Sequence, residues 1–453
     1  MKHFYFTILA LFLTTFTQAQ CWQSMAAGEE FTLAIKADGT LWAWGSNTYG
    51  QLGINSVVDK KTPTQVGTAS NWTAVSCGFM SGAALKSDGT LWAWGHNGQG
   101  MLGIGSTSNK LVPTQIGTDT DWSAIRMGDD HSLALKFNGT LWGWGYNLYG
   151  AIGDGTTTTR LSPVQVGTAS NWSKIDAAED HSLAIAADGT LWAWGSNISG
   201  CLGDGTQTQR NAPIQIGTAT NWAEISGGWS LSAAVKTNGT LWTWGLNVIG
   251  QLGDGTTTDK HVPTQIGTET NWAKVNTSNA HVVALKTNGT LWSWGGNSYG
   301  ELGINSTSPM SVPTQVGTAV NWQLAVAGYY HTLGTRSDGS LYGWGYNEAG
   351  SVGDNTLINR DEPVLLVCPT SILAVNDFIA ESFAVWPNPV MDILYLKNAP
   401  DQIDKIVVTD MLGKVALEVR NNGTSLNVES LNNGVYILCV ISGDEIYKTR
   451  FVR

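Results

Sequence analysis

The chain has 453 residues with 54 glycines and 22 tryptophans, only 13% charged side chains and a formal net charge of −11. This composition excludes a disordered chain and a helical bundle, because it is rich in aromatic and turn-forming residues and poor in long charged side chains. The acidic excess also argues against a nucleic-acid partner, since few cations are available to displace phosphate counterions. An all-β protein with many turns is favoured.

The first 19 residues have the pattern of a secretory signal peptide. A positively charged start precedes an apolar stretch from Phe4 to Phe16 and a small-residue exit at 17–19. That stretch is shorter than the roughly 20 residues that span a bilayer, which disfavours a membrane anchor. Cys21 leaves a lipoprotein as an alternative, although Gln20 stands where a small residue is expected. We expect an exported mature protein without a transmembrane segment.

Residues 20–368 contain seven copies of a 50-residue repeat. In each copy a Trp-Gly pair, a second tryptophan and a proline recur in the same register. The Trp-Gly tryptophans are Trp44, Trp94, Trp144, Trp194, Trp244, Trp294 and Trp344, and the second tryptophans are Trp22, Trp72, Trp122, Trp172, Trp222, Trp272 and Trp322. All tryptophans except Trp229 and Trp386 fall in three repeat columns, which predicts that they form the buried core.

Each unit is predicted to contain four short strands. In the unit 122–171, alternating runs begin at Trp122 and His131, and the tight turn Asn138-Gly139 joins the second run to a third. A Gly- and Thr-rich loop leads to a fourth strand at 163–166, whose leading proline suits a sheet edge. Four short strands in every 50 residues are typical of one blade, so the repeats predict a seven-bladed β-propeller.

The unit resembles the repeat of the regulator of chromosome condensation family. The resemblance rests on His131-Ser-Leu-Ala-Leu after Gly128, on Gly139-Thr-Leu-Trp-Gly-Trp-Gly, and on the Gly153-Asp-Gly-Thr loop. It extends from Trp22 to Val367 and implies a seven-bladed propeller. The nucleotide-exchange activity of that family resides in an insertion protruding from one blade, and no repeat here carries an insertion. The chain also resembles secreted β-lactamase-inhibiting propellers, which implies recognition without catalysis.

No motif for catalysis or cofactor binding is found in the sequence, so we expect neither an enzyme nor a cofactor. Four histidines share one repeat column, which predicts packed, hydrogen-bonded side chains rather than metal ligands: His131, His181, His281 and His331. The Gly-Asp-Gly-Thr aspartates and the Asn-Gly-Thr asparagines are expected to serve turns: Asp154, Asp204, Asp254, Asn138, Asn238 and Asn288.

Function is expected where the repeats differ. The two residues after the Gly128 column vary most, and by the strand prediction they lie in the loop between the first and second strands, so all seven pairs open on one face. Large aromatic side chains there are not needed for packing, because other units have Asp or Ala. They predict an interaction surface with aromatic anchors and charged flanks, with drift at exposed positions as the alternative. The candidate binding residues are Glu29, Glu30, Phe79, Met80, Asp129, Asp130, Glu179, Asp180, Trp229, Tyr329 and Tyr330. A second variable column, whose face the sequence leaves open, contains Ser46, His96, Tyr146, Leu246 and Tyr346.

Two of the five cysteines are placed to close the ring. Wrapping the seventh unit onto the first puts Cys368 in the column of Thr68 and Cys21 in that of Asn71, three residues apart in the linker between units. We expect a Cys21–Cys368 disulfide in an oxidising compartment, with two free thiols as the alternative.

The repeat ends at Cys368, and residues 369–381 are expected to form a linker. Residues 382–453 alternate as short antiparallel strands with turns at 387–389, Gly413 and Asn433-Gly434, which predicts a small β-sandwich. In Trp386-Pro-Asn-Pro and Leu431-Asn-Asn-Gly they resemble the type IX secretion sorting domain of Bacteroidetes. The resemblance implies passage through the periplasm and secretion, or display on the outer cell surface, by that machinery. A plain accessory β-domain is the alternative.

These features predict an exported, non-enzymatic recognition propeller that binds an extracellular protein or other macromolecule through one loop face. A glycan-binding or glycan-degrading surface protein is the alternative, since aromatic rings stack on sugars and paired carboxyls can act as acid and base. A purely structural surface repeat is the third hypothesis. No metal and no nucleic acid are expected as ligands.

Overall fold

The computed structural model describes residues 21–368, 384–397, 399–400, 402–410, 415–420, 423–442 and 445–453. The chain divides into two compact units, one ending at Cys368 and one beginning at Pro369. The predicted signal peptide and the predicted linker at 369–381 lie outside the described residues. Within the described ranges, no helix is long and apolar enough to cross a membrane.

The first unit consists of seven four-stranded antiparallel sheets, each built from consecutive strands, and is the seven-bladed propeller that the repeats predicted. The first four blades contain β1 (Trp22–Ala27), β2 (Phe31–Lys36), β3 (Leu41–Gly45), β4 (Lys60–Gln65); β5 (Trp72–Cys77), β6 (Ser81–Lys86), β7 (Leu91–Gly95), β8 (Lys110–Gln115); β9 (Trp122–Met127), β10 (His131–Lys136), β11 (Leu141–Gly145), β12 (Arg160–Gln165); β13 (Trp172–Ala177), β14 (His181–Ala186), β15 (Leu191–Gly195) and β16 (Arg210–Gln215). The last three contain β17 (Trp222–Gly227), β18 (Leu231–Lys236), β19 (Leu241–Gly245), β20 (Lys260–Gln265); β21 (Trp272–Thr277), β22 (His281–Lys286), β23 (Leu291–Gly295), β24 (Met310–Gln315); β25 (Trp322–Ala327), β26 (His331–Arg336), β27 (Leu341–Gly345) and β28 (Arg360–Leu366).

The third blade shows how the sequence makes the hairpin between the second and third strands. Gly139 has φ of 77°, a backbone conformation that glycine adopts without steric cost. The Asn138 side-chain oxygen accepts hydrogen bonds from the Thr140 N–H at 3.1 Å and the Thr140 hydroxyl at 2.7 Å. The asparagine therefore serves the turn, as predicted.

The predicted start of the fourth strand is wrong. Strand β12 begins at Arg160, before Pro163, and ends at Gln165. A proline suggests the first residue of a strand, because it cannot donate a hydrogen bond to a neighbouring strand. In fact β12 is the outer edge of its sheet, so Pro163 is tolerated within the strand.

The core lies between neighbouring blades, and it is less uniform than the tryptophan columns suggested. The columns of Trp22 and Trp44 are buried throughout. In the column of Trp42, the indoles of the second to sixth blades are only half-buried. The prediction that the three columns form the buried core is therefore confirmed for two columns and only in part for the third, because these indoles lie beside the hairpins at one rim of the ring.

The ring is closed by the same contacts that join consecutive blades. The indole N–H of Trp94 donates to the Gln51 carbonyl of the preceding blade at 2.9 Å, and Trp44 donates to the Ser351 carbonyl of the seventh blade at 2.9 Å. The expected disulfide joins Cys21 to Cys368, with 6.3 Å between their Cα atoms. The first and last blades are thus neighbours, as in a closed propeller and not in an open solenoid.

The second unit is a small antiparallel β-sandwich. Its strands are β29 (Ala384–Trp386), β30 (Ile393–Lys397), β31 (Lys405–Asp410), β32 (Val415–Val419), β33 (Ser425–Asn427), β34 (Val435–Ser442) and β35 (Glu445–Val452). One sheet has the order β29-β30-β33 and the other β32-β31-β34-β35. Leu394 and Leu426 of the first sheet share a buried core with Val408 and Leu438 of the second. The turn predicted at Gly413 lies outside the described residues.

Candidate functional site

A central channel runs through the propeller, and the first strand of every blade lines it. The channel has a volume of about 500 Å³. The loops between first and second strands surround one end of it. We call their variable pairs the mouth ring: 29–30, 79–80, 129–130, 179–180, 229–230, 279–280 and 329–330. The hairpins between second and third strands, such as 137–140, lie at the opposite end of the blades.

Close backbone approaches between blades hold the mouth ring together. The N–H of Tyr329 donates to the Gly28 carbonyl of the first blade at 3.0 Å, and the N–H of Glu29 donates to the Phe79 carbonyl of the second at 3.1 Å. A Cβ atom on Gly128 would lie 2.0 Å from the Ala178 carbonyl oxygen of the next blade. The glycine that precedes the variable pair therefore allows neighbouring tips to converge around the channel.

The second variable column lies on the same face. The backbone N–H of Tyr146 donates to the carbonyl of Asp130 at 2.8 Å, and the N–H of Tyr346 donates to that of Tyr330 at 2.8 Å. The same bond is formed in every blade. Thus the column whose face the sequence left open borders the mouth ring.

The structure gathers six carboxyl groups at the mouth. We call them the acidic cluster: Glu29, Glu30, Asp129, Asp130, Glu179 and Asp180. All six side chains are half-buried. Burial, with the charges of Asp129, Asp180 and Asp130, raises the pKa of Glu179 to about 8. Burial and the neighbouring Asp130 raise the pKa of Asp180 to about 6.

The first blade contributes to the same acidic cluster. Burial, Glu30 and Asp129 raise the pKa of Glu29 to about 7. Burial raises the pKa of Asp129 to about 7, although a hydrogen bond from Tyr329 opposes the shift. The cluster is therefore poised to lose protons near neutral pH, and a cation placed beside it would favour the ionised form.

Aromatic side chains occupy the seventh blade's side of the mouth. The Tyr329 ring packs edge-on against Phe79 at 5.1 Å between centroids, and its hydroxyl donates to the Asp129 carboxylate. The ring centroid of Tyr330 lies 5.4 Å from that of Tyr299 and 6.1 Å from that of Tyr346. Phe79 and Tyr329 therefore contact each other across the ring, rather than standing as independent exposed anchors.

Other predicted residues are placed on the mouth ring without joining these clusters. Trp229 is 45% exposed and lines the channel. Met80 is half-buried. Tyr299 was missed by the sequence reasoning, although its own repeat column, which also holds Tyr49 and Tyr149, varies between units and could have identified it.

The histidine column joins blades, as predicted. The Ser182 hydroxyl donates to the Ala151 carbonyl at 2.8 Å and therefore accepts from His131 Nε2, which lies 2.8 Å away. His181 and Ser232 repeat the arrangement at 2.9 Å. Burial lowers the pKa of His131 to about 4 and, with the adjacent His131, that of His181 to about 3, so both rings are neutral in the folded protein.

The loop aspartates serve turns, as predicted. Asp154 accepts hydrogen bonds from the Thr156 N–H at 3.0 Å and from Arg160 Nε at 2.8 Å. Across the described part of the chain, no three His, Cys, Asp or Glu side chains are grouped so as to hold a metal ion.

Comparisons with known proteins bear on both units. A family model described as the RCC1-like domain matches residues 11–277, and models of the regulator of chromosome condensation (RCC1) repeat match 288–334, 272–301 and 323–351. Residues 384–453 match the secretion system C-terminal sorting domain, which points to secretion or the cell surface.

Two solved structures show the same propeller fold. Human WBSCR16 aligns with a TM-score of 0.66 at 20% identity, covering 72% of this chain and 94% of that chain. Prp20p from Saccharomyces cerevisiae aligns with a TM-score of 0.65 at 21% identity, covering 74% of this chain and 87% of that chain. At these identities the similarity concerns the fold alone.

Proposed function

The chain belongs to the RCC1-like domain family, and on that premise we propose that it is an exported, non-enzymatic recognition propeller that binds a macromolecule through the mouth ring. The observation that carries the proposal is the convergence of the variable tips on one end of a closed ring. The crystal structure of Prp20p, which has a similar fold, is reported together with its binding properties to Gsp1p and histones.

The chemistry of the mouth ring favours a protein partner with a basic patch. The acidic cluster offers carboxylates to Lys or Arg, while Trp229 and the tyrosines around Tyr330 offer large, rigid apolar surfaces beside it. Aromatic anchors beside complementary charge are typical of protein interfaces. We propose that this partner is extracellular.

The sorting domain supports the proposed location of the protein outside the cell. We infer that the signal peptide directs the chain to the periplasm and that residues 384–453 then engage the type IX secretion machinery. The propeller would in this way meet its partner outside the cell.

A glycan ligand is the second candidate. Carboxyl groups with pKa values near 7, such as Glu29 and Asp129, lie on the same face as exposed aromatic rings, and this combination also occurs where sugars bind. An array of purified polysaccharides separates the two candidates, because retention or cleavage of a polysaccharide favours the glycan.

Differential affinity capture tests the proposed face. The mature protein is immobilised as wild type, as Trp229→Ala, as Glu179→Gln/Asp180→Asn, and as Phe137→Ala. Phe137 is a matched control, because it is an exposed aromatic residue in a hairpin at the opposite end of the blades. We expect both mouth variants to lose the partner and Phe137→Ala to retain it. An identical set of captured molecules on all four proteins would contradict the proposed face.

A further inference from the structure

Six of the seven blades place a cation between two indole or phenol rings at the hairpin end. In the second blade, Lys86 Nζ lies 4.7 Å from the Trp72 ring centroid and 4.0 Å from that of Trp92. The cations of this column are Lys36, Lys86, Lys136, Lys236, Lys286 and Arg336. Such contacts are attractive because the ring faces carry negative charge density.

The fourth blade keeps the two rings and lacks the cation. Trp172 and Trp192 lie 5.6 Å apart between centroids at 84°, an edge-on pair like those of the other blades. The column residue is Ala186, which is 3% exposed and has no side chain long enough to reach over the rings. In its place the structure has a cleft of about 420 Å³ between the third and fourth blades, lined by Trp172, Trp192, Ala186 and Asp188.

The charge beside the cleft suits a cation. Hydrogen bonds from the Thr190 hydroxyl at 2.6 Å and the Thr190 N–H at 3.0 Å lower the pKa of Asp188, which is therefore ionised at neutral pH. Asp154, which also lines the cleft, is already paired with Arg160 at 2.7 Å. In the second blade the charge of Lys86 acts on Asp88, the counterpart of Asp188. In the fourth blade the position of this lysine is occupied by Ala186.

We propose that this cleft binds a primary alkylammonium group from outside the chain, in the position that lysine occupies in the other blades. The two edge-on rings and the hydrogen-bonded carboxylate match those of the second blade, where Lys86 lies over the rings. A volume of about 420 Å³ is within the range of small-molecule sites and exceeds what a four-carbon amine requires. The cleft lies at the opposite end of the blades from the mouth ring, so the proposal does not depend on the function assigned to that face.

The test uses n-butylammonium, which reproduces a lysine side chain, in saturation-transfer NMR titrations of the full mature protein. We expect a dissociation constant in the millimolar range and about two- to thirtyfold weaker binding of the neutral analogue n-butanol, which is the range that a cation–π contact supplies. Equal binding of n-butanol would overturn the proposal, since the cleft would then be merely apolar.

Two variants locate the site. Ala186→Lys places the chain's own cation over Trp172 and Trp192, so binding should weaken at least tenfold with no loss of melting temperature. Lys86→Ala recreates the cleft in the second blade, where Asp88 matches Asp188 and the linker 65–71 has the same sequence as 165–171. We expect it to add a second site of similar affinity. Unchanged binding in Ala186→Lys would overturn the proposal, as would the absence of a second site in a folded Lys86→Ala variant.

A third ligand identifies the source of the ammonium group. Nα-acetyl-lysine methylamide presents the same group on a peptide backbone. Binding as tight as that of n-butylammonium assigns the cleft to a lysine side chain of another protein, whereas binding of n-butylammonium alone assigns it to free alkylamines.

Discussion

The Tyr329 hydroxyl of the seventh blade donates a hydrogen bond to the Asp129 carboxylate of the third blade, 200 residues away in the chain. The bond links the aromatic side of the mouth to the acidic cluster. The bond acts on the two pKa values in opposite directions. Burial, the charge of Asp129 and the bond all raise the pKa of Tyr329, whereas at Asp129 the bond opposes the rise in pKa that burial causes.

Replacing Tyr329 with Phe should therefore destabilise the protein more at high pH than at low pH. The ring contact with Phe79 is kept, but the ionised Asp129 loses a charge-assisted bond of about 1.5–3 kcal/mol. Denaturant unfolding at pH 5 and pH 8.5 measures the difference, with Tyr330→Phe as the control. An equal loss of unfolding free energy at both pH values would show that the bond does not stabilise the carboxylate.

Ionisation of the acidic cluster is expected to destabilise the folded protein. The folded-state pKa of Glu179, about 8, lies above the ordinary value of 4.5. The contribution of protonated Glu179 to the stability of the fold is therefore fully present below pH 4.5 and is lost as the pH rises through 8. Glu179→Gln should leave the unfolding free energy nearly unchanged at pH 4.5 and increase it at pH 8.5. A variant that is no more stable than wild type at pH 8.5 would contradict the clustering.

The histidine column should act in the opposite sense. The folded-state pKa of His181, about 3, lies below the ordinary value of 6.5, so stability is lost as the pH falls from 6.5 towards 3, where only the unfolded chain takes up the proton. His181→Leu should cost about 1 kcal/mol at pH 7, the usual worth of one hydrogen bond. The fifth blade already has Leu231 in this column, so the substitution should fold. At pH 4 the variant should equal or exceed the wild type. A deficit that grows on acidification would refute the assignment of neutral histidines.

The disulfide should stabilise the closed ring. Cys21 and Cys368 are separated by 347 positions, and closing so long a loop stabilises the fold by about 6 kcal/mol in the chain-entropy model. Cys21→Ser/Cys368→Ser should melt at a lower temperature than the oxidised wild type and at the same temperature as the reduced wild type. Identical melting of all three samples would mean that the ring needs no covalent closure.

The 50-residue period was enough to predict the propeller, because an indole buried between blades must recur at the same position in every blade. It could not predict the start of β12, since a proline within an edge strand and a proline before one look alike in sequence. Nor could it predict the partnership of Tyr329 and Asp129. The repeat assigns each side chain to a blade and to a position within that blade, but it does not indicate how far the side chain reaches across the channel.

The cleft beside Ala186 has a signal in the sequence. A basic residue recurs in six units and is absent from the fourth. The six basic side chains lie over paired rings in the structure, a contact that the sequence alone does not indicate. Variation within a structural column can thus mark a site as well as variation at a loop tip.

A carboxyl titration of the mature protein, followed by NMR with ¹³C-labelled Asp and Glu side chains, tests the mouth ring most directly. We predict several apparent pKa values between about 6 and 8, shared among Glu29, Asp129, Glu179 and Asp180. These transitions should shift when Asp129 is replaced by Asn. If every carboxyl group titrates below pH 5, the tips do not converge and the proposed recognition face is wrong.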